Sequence, residues 1–297
     1  MYKYGANTRR KKSKFNLSLV FKILSYIFAV IAIAALVGLI IYILVRGLPH
    51  LTGSFLTNTE FERNFETLQT IPTILPATIT TLIMIALTIV ISLPLGIASA
   101  VFLNEYMKPG SKIVKYLRMA TDTLTGVPSV VYGMFGAMFF GGVLGLGMGI
   151  WTGVFTMAII LLPITIRATE ESLKTVPLAF REGSYALGAT KQKTIFKIVL
   201  PGGMPGIVTS AILGMGRVIG ESAAILFTVG TSAQLIAPTL NAPTTNLAGM
   251  LVWFSRGGYF EQAAATAAML LMIVIVLNVA STLVGRRLMK NRGAANS

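Results

Sequence analysis

Long apolar runs alternate along this chain with short charged segments. Runs long enough to cross a bilayer need about 20 residues. They occur near 20–45, 76–103, 123–142, 149–169, 205–228 and 263–284. The pattern predicts an all-α, polytopic membrane protein with six transmembrane helices. It divides the chain into a basic N-terminus (1–19), a first membrane helix (20–45), an external loop (46–75), a core of five further helices (76–286) and a tail (287–297). The first run follows "RRKKSK", as a signal-peptide core would. It far exceeds the roughly 7–15 apolar residues of such a core, so an uncleaved helix is expected.

Several residues interrupt the runs. Pro94, Pro128 and Pro163 are expected inside helices, where each removes a backbone hydrogen bond and favours a kink. Small residues recur at four-residue spacing in Gly141–Gly145–Gly149, Ser210–Gly214 and Gly216–Gly220, a spacing that lets helices approach closely. The uncharged "FGGVLGLGMG" between the third and fourth runs suits a tight turn or a re-entrant excursion. The segment 229–262 is rich in Thr, Pro and Asn, and fits either a solvated connection or a docking surface.

Composition narrows the class. Only 12% of the 297 residues are charged, about half the share of a soluble domain. The absence of cysteine excludes disulfides, thiolate zinc sites and cysteine nucleophiles. The one histidine, His50, follows an apolar run and reads as an interfacial polar residue rather than a metal ligand. The ten acidic residues form no catalytic or metal-binding cluster, so neither enzymatic activity nor a bound metal is expected.

The net charge of +15 would suggest nucleic acid in a soluble protein, but its distribution argues otherwise. Of 25 Lys and Arg residues, twenty fall in the N-terminal segment, the second and fourth loops and the tail. Three (Arg46, Arg63 and Arg256) lie on the alternate side. This asymmetry predicts cytoplasmic termini.

The two remaining arginines lie within or beside spans. In "ILGMGRVIGESAAILF", Arg217 and Glu221 are four residues apart and expected on one helical face. Arg217 would sit about 18 Å along the helix from Pro205, near mid-bilayer. A charge there costs on the order of 2.5–3.5 kcal/mol. Three readings account for it: a neutralising pair, an anion pathway suited to the planar guanidinium, or contact with a partner chain. In "LPITIRATEESLKTVP", Arg167 precedes Glu170 and Glu171 by three and four residues. A helix end holds such charges at little cost by snorkelling, which favours a structural role there.

Residues 181–201, "REGSYALGATKQKTIFKIVLP", carry Gly183 and Gly188 at phosphate-loop separation. Ala189 stands where that loop needs lysine, and Thr190-Lys191 inverts the following order. Nucleotide binding is rejected on this ground. The local signals predict two short helices: Gly188 ends the first in a left-handed conformation, Thr190 caps the second, and Pro201 stops it.

This elbow resembles the EAA loop of ABC importer permeases. Glu182, Gly183 and Ser184 occupy the Glu-Ala-Ala positions, followed at family spacing by Gly188, Ile198, Leu200 and Pro201. Ala189 and Thr190 complete the turn. "GVPSVVYG", "LPITIRATEESLKTVP" and "LGMGRVIGESAAILF" are similar to the permease subunit of the phosphate-specific importer, PstA type. The resemblance spans roughly residues 70–286.

The resemblance implies a prokaryotic plasma-membrane permease, a PstC-type second permease, a PstB-type ATPase dimer and an external phosphate-binding protein. It places ATP and Mg on the ATPase and no cofactor on this chain. It points to Arg217 and Glu221, and more weakly Arg167 and Glu170, as the phosphate route, with about 178–201 as the ATPase-coupling loop. The PstC-type subunit carries similar motifs and remains an alternative, as does a permease for another anion. A secondary transporter has no use for the elbow.

Overall fold

The computed structural model describes residues 17–57, 62–63, 70–71, 73–108, 110–230 and 239–293. The basic residues Lys3, Arg9, Arg10, Lys11, Lys12 and Lys14 lie outside these, as do the side chains of residues 284–293. The chain forms two compact units, residues 1–45 and 46–297. The first contains most of one helix, α1 (Leu17–Gly47), with apolar side chains exposed along its length.

Among its described residues, the second unit is helical apart from its turns and a two-residue antiparallel ladder, β1 (Glu62–Arg63) with β2 (Thr70–Ile71). A 3-10 turn, Leu48–His50, and short α2 (Gly53–Thr57) precede α3 (Leu75–Val101), which runs on as a π turn, Phe102–Tyr106. Next come α4 (Lys112–Thr125), α5 (Ser129–Gly136) with a π turn at Ala137–Val143, and α6 (Ile150–Lys174). The elbow comprises α7 (Leu178–Ala186), α8 (Lys191–Thr194) and a π turn, Ile195–Val199, leading into α9 (Leu200–Gly220). The chain ends with α10 (Ala223–Thr228), α11 (Leu247–Arg256) and α12 (Phe260–Gly293).

Among the described residues, five helical stretches are long and apolar enough to span a membrane, and six if α4 and α5 are counted as one bent span. The centre is built from α3, α6 and α9, with Met84, Val154, Met157, Leu161, Val218 and Ile219 buried together. In lipid, such packing rather than exclusion of water holds helices together. Gly96 shows how tight it is: a Cβ there would lie 2.5 Å from Thr165 Cγ2 on α6.

Six expectations are corrected. The apolar run at 123–142 is no straight span, because α4 and α5 meet at 100°. Pro128 sits at the start of α5 with extended backbone (φ −60°, ψ 141°) instead of inside a helix. Proline disfavours a helical conformation for the residue before it, here Val127. Tyr132 Oη fixes the corner by donating to the Leu124 carbonyl at 2.7 Å.

The fifth run is also broken. α9 ends at Gly220, and Glu221 is extended at ψ 114° before α10 begins. At the other end of α9, Pro201 does not stop the helix. The Leu200 N–H donates to the Ile195 carbonyl five residues back. This widened π turn lies immediately before the proline, whose ring would crowd a regular turn.

The segment 229–262 is more than a plain solvated connection. Its residues 231–238 lie outside the described ones. Leu247, Met250 and Phe254 recur at three- and four-residue spacing, and α11 buries them against Phe55, Ile74 and Ala265. The glycine series 141–145–149 presents no common helix face, since Gly145 and Gly147 turn the chain at φ 70° and 69°. Pro94 and Pro163 do lie inside helices, α3 and α6. His50 Nδ1 lies 3.6 Å from Glu261 Oε2 on α12.

Candidate functional site

The elbow is built by local hydrogen bonds. The Gly188 N–H donates to the Tyr185 carbonyl at 2.9 Å, and the Ala189 N–H donates to that of Ser184 at 3.1 Å. Together these form a Schellman closure of α7. It requires the left-handed backbone that Gly188 adopts at φ +78°. Thr190 Oγ1 then accepts the Lys193 N–H at 3.4 Å and caps α8.

Ser184, in place of the family's alanine, is buried and bonds Thr194 Oγ1 at 2.8 Å, linking the two arms. Glu182 and Gly183 face outward. Ile198, Leu200 and Pro201 are partly buried where the second arm enters α9. The elbow's outer surface carries apolar side chains among its charges: Leu178, Phe180, Tyr185 and Phe196 are exposed, and Leu187 is 90% exposed.

Arg181 anchors the elbow to the bundle. Its Nη2 donates to Glu105 Oε1 at 3.0 Å and to the Leu173 carbonyl, at the end of α6, at 2.9 Å. Both side chains of the pair are largely buried. Lys191, on the second arm, lies over the Tyr106 ring at 5.0 Å. Sequence reasoning missed Glu105. Its only signal was a lone acid at the end of an apolar run.

The charged residues of the predicted pathway fall into two groups. Arg217 Nη2 is 3.7 Å from Glu221 Oε2. The expected shared helical face is not what joins them, because Glu221 lies past the end of α9. Its Oε1 instead accepts the Ala224 N–H at 3.2 Å, and its carbonyl accepts Asn246 Nδ2 at 3.3 Å. Glu221 is buried, whereas the Arg217 side chain is 47% exposed.

The second group links α4 to α6. Arg167 Nη1 donates to Asp122 Oδ1 at 2.8 Å instead of pairing along its own helix with Glu170 or Glu171. Buried Glu170 is held by Arg118 and by Lys174 Nζ, the latter at 3.0 Å. Arg118, Asp122, Arg167, Glu170, Glu171 and Lys174 line a cavity of about 130 Å³. The Glu170–Lys174 pair was readable from its i, i+4 order. Arg118 and Asp122 were not, because they lie on a helix mistaken in part for a span.

Residues 92–290 match the family described as binding-protein-dependent transport system inner membrane component. The chain belongs to this family. This permease is 35% identical over 213 residues to the probable ABC transporter permease protein YqgI of Bacillus subtilis, covering 72% of this chain and 69% of that one. It is 34% identical to a phosphate transport system permease protein PstA homolog of Mycoplasma pneumoniae, over 72% of this chain and 32% of the relative. It is 38% identical to phosphate transport system permease protein PstA 1 of Mycobacterium tuberculosis, over 52% of this chain and 50% of the relative. The match thus spans only a third to a half of these two PstA-named relatives.

Solved structures share the permease's fold. A bacterial alginate ABC transporter chain aligns at TM-score 0.66 and 15% identity, over 93% of this chain and 97% of its own length. A chain of the inward-facing MetNI methionine ABC transporter aligns at 0.54 and 20% identity, over 73% and 93%.

Proposed function

We propose that this chain is the PstA-type permease subunit of an ATP-driven importer of inorganic phosphate. A PstC-type permease completes the pathway, a PstB-type ATPase dimer grips the elbow, and an external binding protein delivers phosphate. ATP and Mg are used on the ATPase. The chain lies in the plasma membrane with both termini cytoplasmic, 76–286 forming the permease core and about 178–201 the coupling loop.

The observation that carries the coupling role is the set of outward apolar side chains around Leu187, on two arms tied by the Ser184–Thr194 hydrogen bond. Apolar area of this kind is what a protein partner covers. The PstA-named relatives support phosphate as substrate. So does Arg217, whose half-exposed guanidinium keeps donors free for an oxyanion beyond its loose contact with Glu221.

In this reading ATP binding closes the ATPase dimer and moves the elbows. The bundle opens outward, phosphate enters, and hydrolysis returns it inward. Such driving requires ATP to bind the two states with different affinity. The test is uptake of labelled orthophosphate by the reconstituted four-component importer, with sulfate as competitor. ATP-dependent uptake resistant to excess sulfate is expected. Uptake of sulfate in preference to phosphate would reject the substrate and leave the coupling role standing.

A further inference from the structure

We propose that the Arg181–Glu105 ion pair is the joint through which displacement of the elbow enters the helix bundle, with the π turn Phe102–Tyr106 as the receiving element. The inference rests on the reading of the elbow as the ATPase-coupling loop. It assigns Arg181 and Glu105 a positioning role, without contact to substrate or nucleotide.

The elbow has two kinds of route into the bundle. One is covalent: α7 follows α6 across residues 175–177, and α8 and the π turn Ile195–Val199 continue into α9, the helix of Arg217. Neither covalent link leads to α3. The second route does, through a side chain. The Arg181 guanidinium, on α7, reaches Glu105 at the end of α3 and the Leu173 carbonyl at the end of α6. One side chain thus fastens the elbow to two helices that already meet at Gly96 and Thr165.

Two further observations mark the π turn as the receiver. Both arms of the elbow hold it, Arg181 at Glu105 and Lys191 over Tyr106. Glu105 is also held in place, since its Oε1 accepts Asn104 Nδ2 at 2.8 Å. A π turn inside a helix is a recurrent site of functional adjustment. Here it lies where α3 ends and the chain becomes extended at Met107, ψ 147°.

Burial makes this pair suitable for transmission. Arg181 and Glu105 are 13% and 8% exposed, so their attraction is little screened and the geometry is held. The other charges of the elbow, Glu182, Lys191, Lys193 and Lys197, are exposed. Exposed pairs contribute little and exchange readily with water. Removing one partner of a buried pair strands the other charge, so a single variant confounds folding with coupling. The test therefore removes or reverses both.

The experiment uses the reconstituted importer with all four components. It measures ATPase capture, ATP hydrolysis and labelled orthophosphate transported per ATP. The double variant Glu105→Gln/Arg181→Gln is expected to capture the ATPase as the parent does and to hydrolyse ATP. Its phosphate transported per ATP should fall by roughly tenfold, the scale of a lost interaction within one coupled network. The reversed pair Glu105→Arg/Arg181→Glu should recover a substantial part of that ratio.

Unchanged transport per ATP in the neutral double variant overturns the proposal. So does loss of ATPase capture or of assembly, which would make the pair part of docking or of folding. A parent complex that is stimulated by binding protein yet carries no phosphate counts against the proposed substrate. The joint is then read from the stimulation itself, which the neutral double variant loses if the pair transmits and keeps if it does not.

Discussion

Gly188 allows the elbow's geometry to be tested by conformational energy alone. Its φ of +78° is the left-handed region, which costs an ordinary L-residue roughly 1–2 kcal/mol. Steric crowding adds nothing, because a Cβ at this position meets no atom within 4 Å. Gly188→Ala is therefore expected to destabilise the bent elbow by about 1–2 kcal/mol, a five- to thirtyfold shift away from the Schellman closure. Asparagine tolerates this region better, so Gly188→Asn should fall between glycine and alanine. Gly188→Val should be worst, since β-branched residues fit left-handed backbone least well. The assay is the affinity of the assembled permease pair for the ATPase, read beside ATP-coupled uptake. The expected order is Gly, Asn, Ala, Val. Equal affinities for glycine and alanine would refute the claim that a left-handed residue sets the shape gripped by the ATPase.

Three further outcomes follow from other positions. Arg217→Lys keeps the charge beside Glu221 but loses the planar fork, so it should lower phosphate uptake by about tenfold or more with assembly intact; full activity would reduce Arg217 to a neutralising charge. A Cβ at Gly183, within α7, would meet no atom within 4 Å, so Gly183→Ala should stabilise that helix by up to about 1 kcal/mol and slow hydrogen exchange of its amides, whereas faster exchange would contradict the assignment. Gly96→Ala drives a Cβ to 2.5 Å from Thr165, and should destabilise the α3–α6 contact by about 1–3 kcal/mol, seen as a lower thermal midpoint in detergent; an unchanged midpoint would mean the contact is slack.

Much of the architecture was legible because its signals are local. The elbow is the clearest case: Gly188 and Thr190 specify a helix end and a helix start by their own backbone preferences, and both behave as expected. The five long apolar helices were legible because each needs a run of set length. Two errors came from averaging over such runs. The window that detected 123–142 passed over "GVP", although Pro128 is the residue that makes the corner. Helix α11 is too short to register as a span, so its apolar stripe was lost in a Thr- and Pro-rich segment. Pro201 shows a rule defeated by its neighbours, since the π turn before it absorbs what a regular helix could not. The joint at Arg181 was illegible for a different reason. Glu105 lies 76 residues away, and helical periodicity relates only residues a turn or two apart.

The same distinction bears on Arg217. From the sequence, a mutually neutralising pair and an anion pathway were both consistent with an arginine four residues before a glutamate. A pair whose sole purpose was neutralisation would close to the roughly 2.7–2.9 Å typical of charge-assisted bonds. At 3.7 Å it has not closed, and Glu221 directs its other oxygen to the Ala224 N–H. The broken helix is what separates the two roles, because it turns Glu221 inward as a cap while Arg217 stays on the outer face of α9. The helix surface to one side of Arg217 is open, since a Cβ at Gly216 or at Gly220 meets nothing within 4 Å. If Arg217 lies at membrane depth, as the proposed pathway requires, an exposed cation there is unfavourable against lipid. It becomes favourable only where something polar covers it, and the proposed cavity shared with a second permease and carrying an oxyanion would satisfy that requirement.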